Sequence, residues 1–173
     1  MTATASEILS AVELHDVYML GCKSELTPDF HPKFAHDLAD LSIETMEFIE
    51  RSERFKEESG DKGLFRVFVS FGTRWKTQKL TKNKPKGKNK IDARSILGTI
   101  EGEFVVEYLI DDEITQDILD DFALKRSIDH ALPYWRDHFL YQCAKLRLST
   151  ARMPSKLVST AGYLKLDEPH GQA

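Results

Sequence analysis

The sequence predicts an α+β domain in which a four-stranded antiparallel sheet carries helices on one face. Three observations support this class: four segments have strand-like patterns, helical periodicity follows the last of them, and no internal repeat is present. A chain of 173 residues with 41% hydrophobic residues is large enough for one domain with its own core, and it is not disordered overall. We expect 1–10 to be a disordered N-terminal segment, 11–150 the domain, and 151–173 a partly ordered tail.

Composition restricts the environment of the chain. No apolar stretch approaches the roughly 20 residues needed to span a bilayer, and the first residues, MTATASEILS, lack the basic and apolar regions of a secretory signal. The cysteines are Cys22 and Cys143 alone, so a disulfide scaffold is not expected. We therefore expect a cytoplasmic protein that does not insert into a membrane.

The strands are predicted at 11–26, 38–51, 64–75 and 94–110. The last two show the clearest alternation, because apolar residues or glycine occupy every even position from Ile96 to Ile110. One face of the sheet should therefore be covered and the other solvated. The segment 38–51 stays ambiguous, since its apolar positions fit a bulged strand and also a helical period of 3.6 residues.

Helical periodicity begins after the last strand. The segment DDEITQDILDDFALKR opens with acids and closes with Lys125 and Arg126, as the helix dipole favours. A longer apolar stripe follows, in which Pro133 should start or kink the helix. Its residues recur every three or four positions: Ile128, Leu132, Trp135, Phe139, Cys143 and Leu146. So wide a stripe must be covered by the sheet, by another copy of the chain, or by both.

Positive charge is concentrated in one segment. Nine of the 24 basic residues lie between Arg74 and Arg94, where Asp92 is the only acid, although the whole chain has a formal charge of −4. The lysine-rich part, 79–91, is predicted to be a hairpin loop. Two hypotheses compete: the loop binds phosphate or an acidic partner, or it keeps a sheet edge from pairing with other chains. We favour the second, because no aromatic residue lies between the lysines to stack on bases.

The sequence offers no catalytic constellation. Its one close pair of histidines, His31 and His36, lies near Asp29 and Asp37, but the spacing matches no known metal site. Phosphate-binding glycine loops, nucleophile elbows and zinc-protease motifs are absent from the sequence. We therefore expect neither catalysis nor a cofactor.

Apolar side chains occur where a polar connector would suffice. They are Phe30 and Phe34 in a proline-containing loop, followed by Leu38, Leu41 and Ile43. These residues predict either a groove for an extended polypeptide, whose backbone could pair with a sheet edge, or a plug that fixes the loop to the domain's own core. From the residues alone, the plug is favoured.

The C-terminal half contains a series of motifs: a Gly-x-Phe segment in the last strand, a short acidic helix, and a Pro-Tyr-x-Arg signature within a long helix. The motif residues are Gly102, Glu103, Phe104, Pro133, Tyr134, Trp135 and Arg136. In these motifs the chain resembles the SecB-type chaperones. The resemblance extends over about 11–150, and its specific part is 102–136.

The resemblance implies a homotetramer, a dimer of dimers in which long helices are sandwiched between two sheets. Its oligomer interface would contain Ile128, Leu132, Trp135 and Phe139. The resemblance also implies ATP-independent holding of unfolded chains, with the client bound by Phe30, Phe34, Leu38, Leu41 and Ile43. Such a holdase acts by mass action, because binding the unfolded state shifts its equilibrium.

Departures from the family pattern bear on the branch. Export chaperones dock on the translocase motor through acids on the open sheet face and a C-terminal tail. Here Gly21 and Leu97 stand where acids are expected, only Glu25 is retained, and the tail LDEPHGQA has no obvious match. The sequence therefore favours a general holdase, or a chaperone that protects an antitoxin in a toxin–antitoxin system, over an exporter. A nucleic-acid-binding module and a scaffold subunit are weaker alternatives.

Overall fold

Four strands and one long helix form the molecule. The computed structural model describes residues 11–34, 41–56, 62–77, 96–111 and 113–148. The elements are β1 (Val12–Leu26), a short 3-10 helix (Pro32–Phe34), β2 (Leu41–Phe55), β3 (Lys62–Thr77), β4 (Ile96–Asp111) and α1 (Gln116–Leu146). The strands make one antiparallel sheet in the order β1-β4-β3-β2, so β1 and β2 are its edges. The predicted α+β class and four-stranded sheet are confirmed.

The ambiguous segment 38–51 is a strand from Leu41 onward. A bulge between Ile49 and Arg51 shifts the pairing of β2 with β3 by one residue. This shift moves the apolar positions out of phase, which explains why the segment also fitted a helical period. The predicted segment 1–10, the loop 79–91 and the tail 151–173 lie outside the described residues.

One face of the sheet forms the core together with α1. The aromatic rings of Trp75 and Phe139 stack with their centroids 5.9 Å apart, and those of Phe71 and Trp135 stack at 5.5 Å. All four side chains are buried. Because large flat rings interlock in only a few arrangements, these pairs fix both the height and the rotation of the helix on the sheet.

The helix is continuous where the sequence predicted two helices. It runs for 31 residues, and Pro133 lies within it at an exposed position. Proline removes the hydrogen bond to the Asp129 carbonyl, but an exposed carbonyl can bind water instead. Of the two predicted effects of Pro133, a helix start is therefore wrong, because the acidic and aromatic segments share one helix. It ends at Arg147, which adopts the left-handed conformation of a helix C-terminus.

The open face of the sheet has a buried centre although none of the described helices covers it. Phe68 and Val105 are almost inaccessible there. The Arg51 guanidinium lies 3.5 Å above the Phe68 ring. Nearby, Arg66 Nε donates to Glu107 Oε1 at 2.7 Å. Charged side chains thus close the face that the sequence predicted to be simply solvated.

Candidate functional site

The connection between the two edge strands is anchored at its start. The Thr27 N–H and hydroxyl groups donate to the Leu97 carbonyl of β4 at 2.9 and 2.8 Å. The Phe30 N–H donates to the Thr27 carbonyl at 3.0 Å, closing a turn. Phe30 is half-buried and packs against the core. The turn therefore holds this predicted client-binding residue on the domain.

The other predicted client-binding residues occupy different environments. Leu41, the first residue of β2, is half-buried against the core, as the plug interpretation requires. Ile43 is 37% exposed and pairs in register with Trp75. Phe34 ends the 3-10 helix, and Leu38 lies outside the described residues. Ile43 is therefore an apolar side chain of this set that a client could reach without unfolding the domain.

The edge strand β2 offers unpaired backbone next to Ile43. Among the described residues β2 pairs with β3 alone, and its pairing is regular from Leu41 to Ile49, before the bulge. A regular edge strand is a template for an extended chain, whereas a bulge interrupts such pairing. The part of β2 from Leu41 to Ile49 is thus a better template for strand addition than the part after the bulge.

A half-buried carboxyl group of β2, that of Glu47, lies near α1. Glu47 is half-buried, and no described residue lies within hydrogen-bond distance of its Oε2. Burial raises the pKa of Glu47, and the nearby Asp129 carboxylate on α1 raises it further. An acid in this setting can bind a donor group, but no described cluster of side chains could hold a metal ion with it.

The four predicted interface residues mostly build the core of a single chain. Trp135 and Phe139 are buried between helix and sheet, and Ile128 and Leu132 are half-buried. Other apolar residues of α1 are about half exposed: Leu124, Tyr134, Leu140 and Tyr141. The outer surface of the helix is therefore the apolar surface that remains for contact with another molecule.

A groove that the sequence did not reveal runs between β1 and α1. Its volume is about 740 Å³, and it is lined by Val17, Tyr18, Met19, Phe104, Pro133, Tyr134, Asp137, His138 and Tyr141. His138 Nε2 is inaccessible and has no hydrogen-bond partner among the described residues. Burial lowers the pKa of His138, although Asp137 acts in the opposite direction. In the sequence, the spacing of Tyr134 and Tyr141, two helical turns apart, was an available indication of this groove.

Within the part of the chain that the structure describes, no helix has the length and apolar character to cross a bilayer.

The two cysteines differ in their environment. Cys143 is buried in the core as a free thiol, and burial raises its pKa to about 11, whereas Cys22 is exposed on β1. A thiol protonated so firmly is a poor nucleophile, so Cys143 serves packing.

Comparison with known proteins identifies the fold. No protein-family model matches the chain, and no curated protein matches it. Solved structures do match, among them the SecB-like chaperone Rv1957 of Mycobacterium tuberculosis in complex with a ChAD peptide from the antitoxin Rv1956 HigA1. The TM-score is 0.61 at 15% sequence identity, and the match covers 89% of this chain and 95% of that chain. The resemblance seen in the sequence is thus confirmed for the architecture, and the chain has a SecB-like fold.

Proposed function

We propose that this chain is an ATP-independent holdase that binds extended segments of unfolded polypeptide. The observation that carries the proposal is the likeness of fold to a SecB-like chaperone over nearly the whole of both chains. Two features of the chain support it: β2 has a regular unpaired edge, and apolar side chains are exposed beside the strand edges and along α1.

In this proposal the client lies along the first part of β2. Its backbone pairs with the edge from Leu41 to Ile49, and its side chains contact Ile43. Phe30 and Leu41 extend this contact into an apolar wall, and we propose Phe34 and Leu38 as further client-binding residues. Main-chain pairing provides affinity for many sequences, and the apolar wall selects segments that are unfolded and hydrophobic.

The client we favour is an antitoxin, because the matched chaperone is bound to an antitoxin peptide. Delivery of preproteins to the translocase motor is less well supported by the open sheet face. Its acids Glu101 and Glu103 lie 3.1 and 3.6 Å from Arg74 and Arg51, so they are engaged within the face. An acidic docking patch would need such carboxylates to be free for a basic partner.

We also propose that the chain assembles as a homotetramer through α1 and the β1 edge. Leu124, Leu140 and Tyr141 would be covered by a second copy, and Ile128 and Leu132 would extend the contact from the core outward. Trp135 and Phe139 would support this interface from beneath the helix. A tetramer also presents several client sites to one chain, which increases avidity.

A matched pair of substitutions on β2 tests the client site. Ile43→Asp places a charge in the proposed apolar wall, whereas Phe55→Asp changes a residue of similar exposure, 43%, near the far end of the same strand. Ile43 is preferred to Phe30 or Leu41, because charges at those half-buried positions would also destabilise the domain.

The readout is light scattering from a model client, reduced insulin, without ATP. We expect wild type and Phe55→Asp to suppress aggregation at equal ratios, and Ile43→Asp to need several-fold more chaperone. A wild-type protein that never suppresses aggregation would refute the holdase. Equal protection by the two variants would refute the client site on β2 but not the holdase function.

A further inference from the structure

Three unsatisfied polar atoms lie in one strip of the sheet. They are Glu47 Oε2 on β2 and, on β3, Thr73 Oγ1 and Trp75 Nε1, each almost inaccessible and without a hydrogen-bond partner among the described residues. Trp75 pairs in register with Ile43, and Thr73 pairs with Thr45. Glu47 is the next residue of β2 on the same face, because alternate residues of a strand share a face. Buried polar groups are normally paired, so this concentration indicates a place where binding has been favoured over stability.

The β2 side of this strip is open, although its β3 side is buried. Thr73 and Trp75 are 1% exposed, whereas Ile43 and Thr45 are exposed and Glu47 is half-buried. The outer edge of β2 has no partner strand among the described residues. Another polypeptide that pairs with this edge would therefore place its side chains beside the strip.

Glu47 is the charged group of the strip. Burial removes part of the water around its carboxylate, and the described charge that acts on it is a second acid, Asp129 of α1. A metal ion is not supported as the occupant, since the described residues contain no group of three side chains that could hold one. A cation carried by a bound polypeptide would offset both the lost hydration and the repulsion from Asp129.

The register of β2 determines where this cation must lie in the bound polypeptide. A strand added along the regular part of the edge, Leu41 to Ile49, faces each residue of β2 with one of its own. Ile43 and Glu47 are four residues apart, so the client residues that face them are also four apart and share a face. Directly opposite residues have Cβ atoms about 5 Å apart, which is within reach of a lysine or arginine side chain.

We propose that Glu47 determines the specificity of the client site by selecting an extended segment in which a basic residue lies four positions from an apolar one. The inference rests on the proposed function and adds the class of segment that is bound. The apolar residue contacts Ile43, and the basic residue donates to the Glu47 carboxylate, with Asp129 adding to the attraction. A basic residue three positions away would lie opposite Met46, on the other face, and would not reach Glu47.

Two peptides of identical composition test the spacing. In KTVTLTVTK the lysines lie four residues from the central leucine on either side, so one of them faces Glu47 whichever way the peptide runs. In TKVTLTVKT they lie three residues away and point to the other face. Each peptide carries fluorescein at its N-terminus, and its dissociation constant is measured by fluorescence anisotropy at pH 7.5. For wild type we expect KTVTLTVTK to bind about tenfold more tightly, as one charge-assisted hydrogen bond allows.

The matched substitutions are Glu47→Gln and Glu44→Gln. Both remove one negative charge from β2, but Glu44 forms an ion pair with Lys76 and lies on the other face. We expect the ratio of the two dissociation constants to fall close to one in Glu47→Gln and to keep its wild-type value in Glu44→Gln. Equal affinities in wild type, or a ratio that persists in Glu47→Gln, would overturn the proposal.

Stability separates a binding role of Glu47 from a structural one. Because its carboxylate has lost water without gaining a donor for Oε2, Glu47→Gln should leave the urea midpoint of the free chain unchanged or raise it. A lowered midpoint together with weaker binding of both peptides would assign Glu47 to the fold instead of to specificity.

Failure of this proposal can be told apart from failure of the proposed function. Equal binding of the two peptides by wild type would refute the role of Glu47 and leave the client site on β2 in place, provided that Ile43→Asp weakens both. A wild-type chain that binds neither peptide would refute the site on β2 together with its specificity. The insulin aggregation assay measures the holdase function independently of either result.

Discussion

The two faces of the sheet are closed by different means. On the face toward α1, aromatic rings such as Trp75 and Trp135 are 1% exposed and stack on partners from the facing element. On the open face, Phe68 and Val105 are buried nearly as well, but beneath arginine side chains and cross-strand ion pairs. Burial of the side chains on one face depends on the helix. On the other face it depends on which residues of neighbouring strands are paired.

This difference indicates where the chain can still bind another molecule. On the open face, a row of side chains crosses all four strands, with Tyr18 bonded to Glu107, Glu107 to Arg66, and Arg66 lying 4.9 Å above the Phe55 ring. The polar groups of that row satisfy one another. The outer edges of β1 and β2 have no partner strand among the described residues, and exposed apolar side chains lie along α1, which is why both proposed binding surfaces are placed there.

The largest loss of stability is expected for a substitution on the helix-covered face. Trp135→Ala removes a ring that contacts Phe71, Phe104 and Phe139, and it leaves a cavity in the core between helix and sheet. We expect a loss of about 3–5 kcal/mol of unfolding free energy, measured by urea denaturation at fixed protein concentration.

Phe68→Ala on the open face is the matched truncation. It should cost less, because the Arg51 side chain above the ring can settle into the space. Equal losses for the two variants would show that the charged cover is as rigid as the helix, contrary to the comparison drawn here.

The next largest loss of stability is expected for a substitution on the open face. Glu107 is 8% exposed and accepts hydrogen bonds from Arg66 at 2.7 Å and Tyr18 at 3.2 Å. Glu107→Gln should lower the urea midpoint by roughly 0.5 M, because a neutral amide accepts less strongly and adds an unpaired donor.

An exposed ion pair is the control for that measurement. Lys125→Met removes the partner of Asp121 on the surface of α1, and we expect no measurable change. A double-mutant cycle of Glu107→Gln with Arg66→Met should show coupling that weakens in 0.5 M salt; complete additivity would contradict the proposed row of side chains.

The fold was predictable wherever one periodicity extended over a whole element. In β3 and β4 the alternation runs unbroken along the helix-covered face, so their strands and the covered face followed from the sequence alone. Pro133 was misleading, because a local rule about proline does not include the exposure that lets a helix continue past it. The buried centre of the open face also depends on register, since Arg51 reaches Phe68 from a neighbouring strand.

The candidate site was only partly predictable for a related reason. The sequence proposed Ile43 as a client contact, because an apolar residue after a proline-containing loop is visible in it, but it did not show which strand forms the edge beside Ile43, since 38–51 also fitted a helical period. The groove on β1 was not predicted, since its pairing with β4 shifts between Leu14 and Asp16 and again between Met19 and Gly21. Each shift reverses which residues face the helix, and no sequence pattern gives its position.

The smallest expected effect is a difference between the two faces in how their contribution to stability depends on pH. Arg66 on the open face stays charged, because its hydrogen bond to Glu107 raises its pKa further. On the helix-covered face, burial lowers the pKa of His130 from 6.5, and burial raises that of Tyr108, whose hydroxyl lies 2.9 Å from His130 Nδ1, to about 12, so the phenol stays protonated.

A histidine whose pKa is lower in the folded than in the unfolded chain contributes its full stability above about pH 6.5 and loses it as the pH falls below that value. We therefore expect the urea midpoint of wild type to fall between pH 7.5 and 5.5, and His130→Gln to reduce that slope. His138 has a shift of the same sign, so the double variant with His138→Gln should reduce the slope further. An unchanged slope in the double variant would show that neither histidine is the source of the acid response.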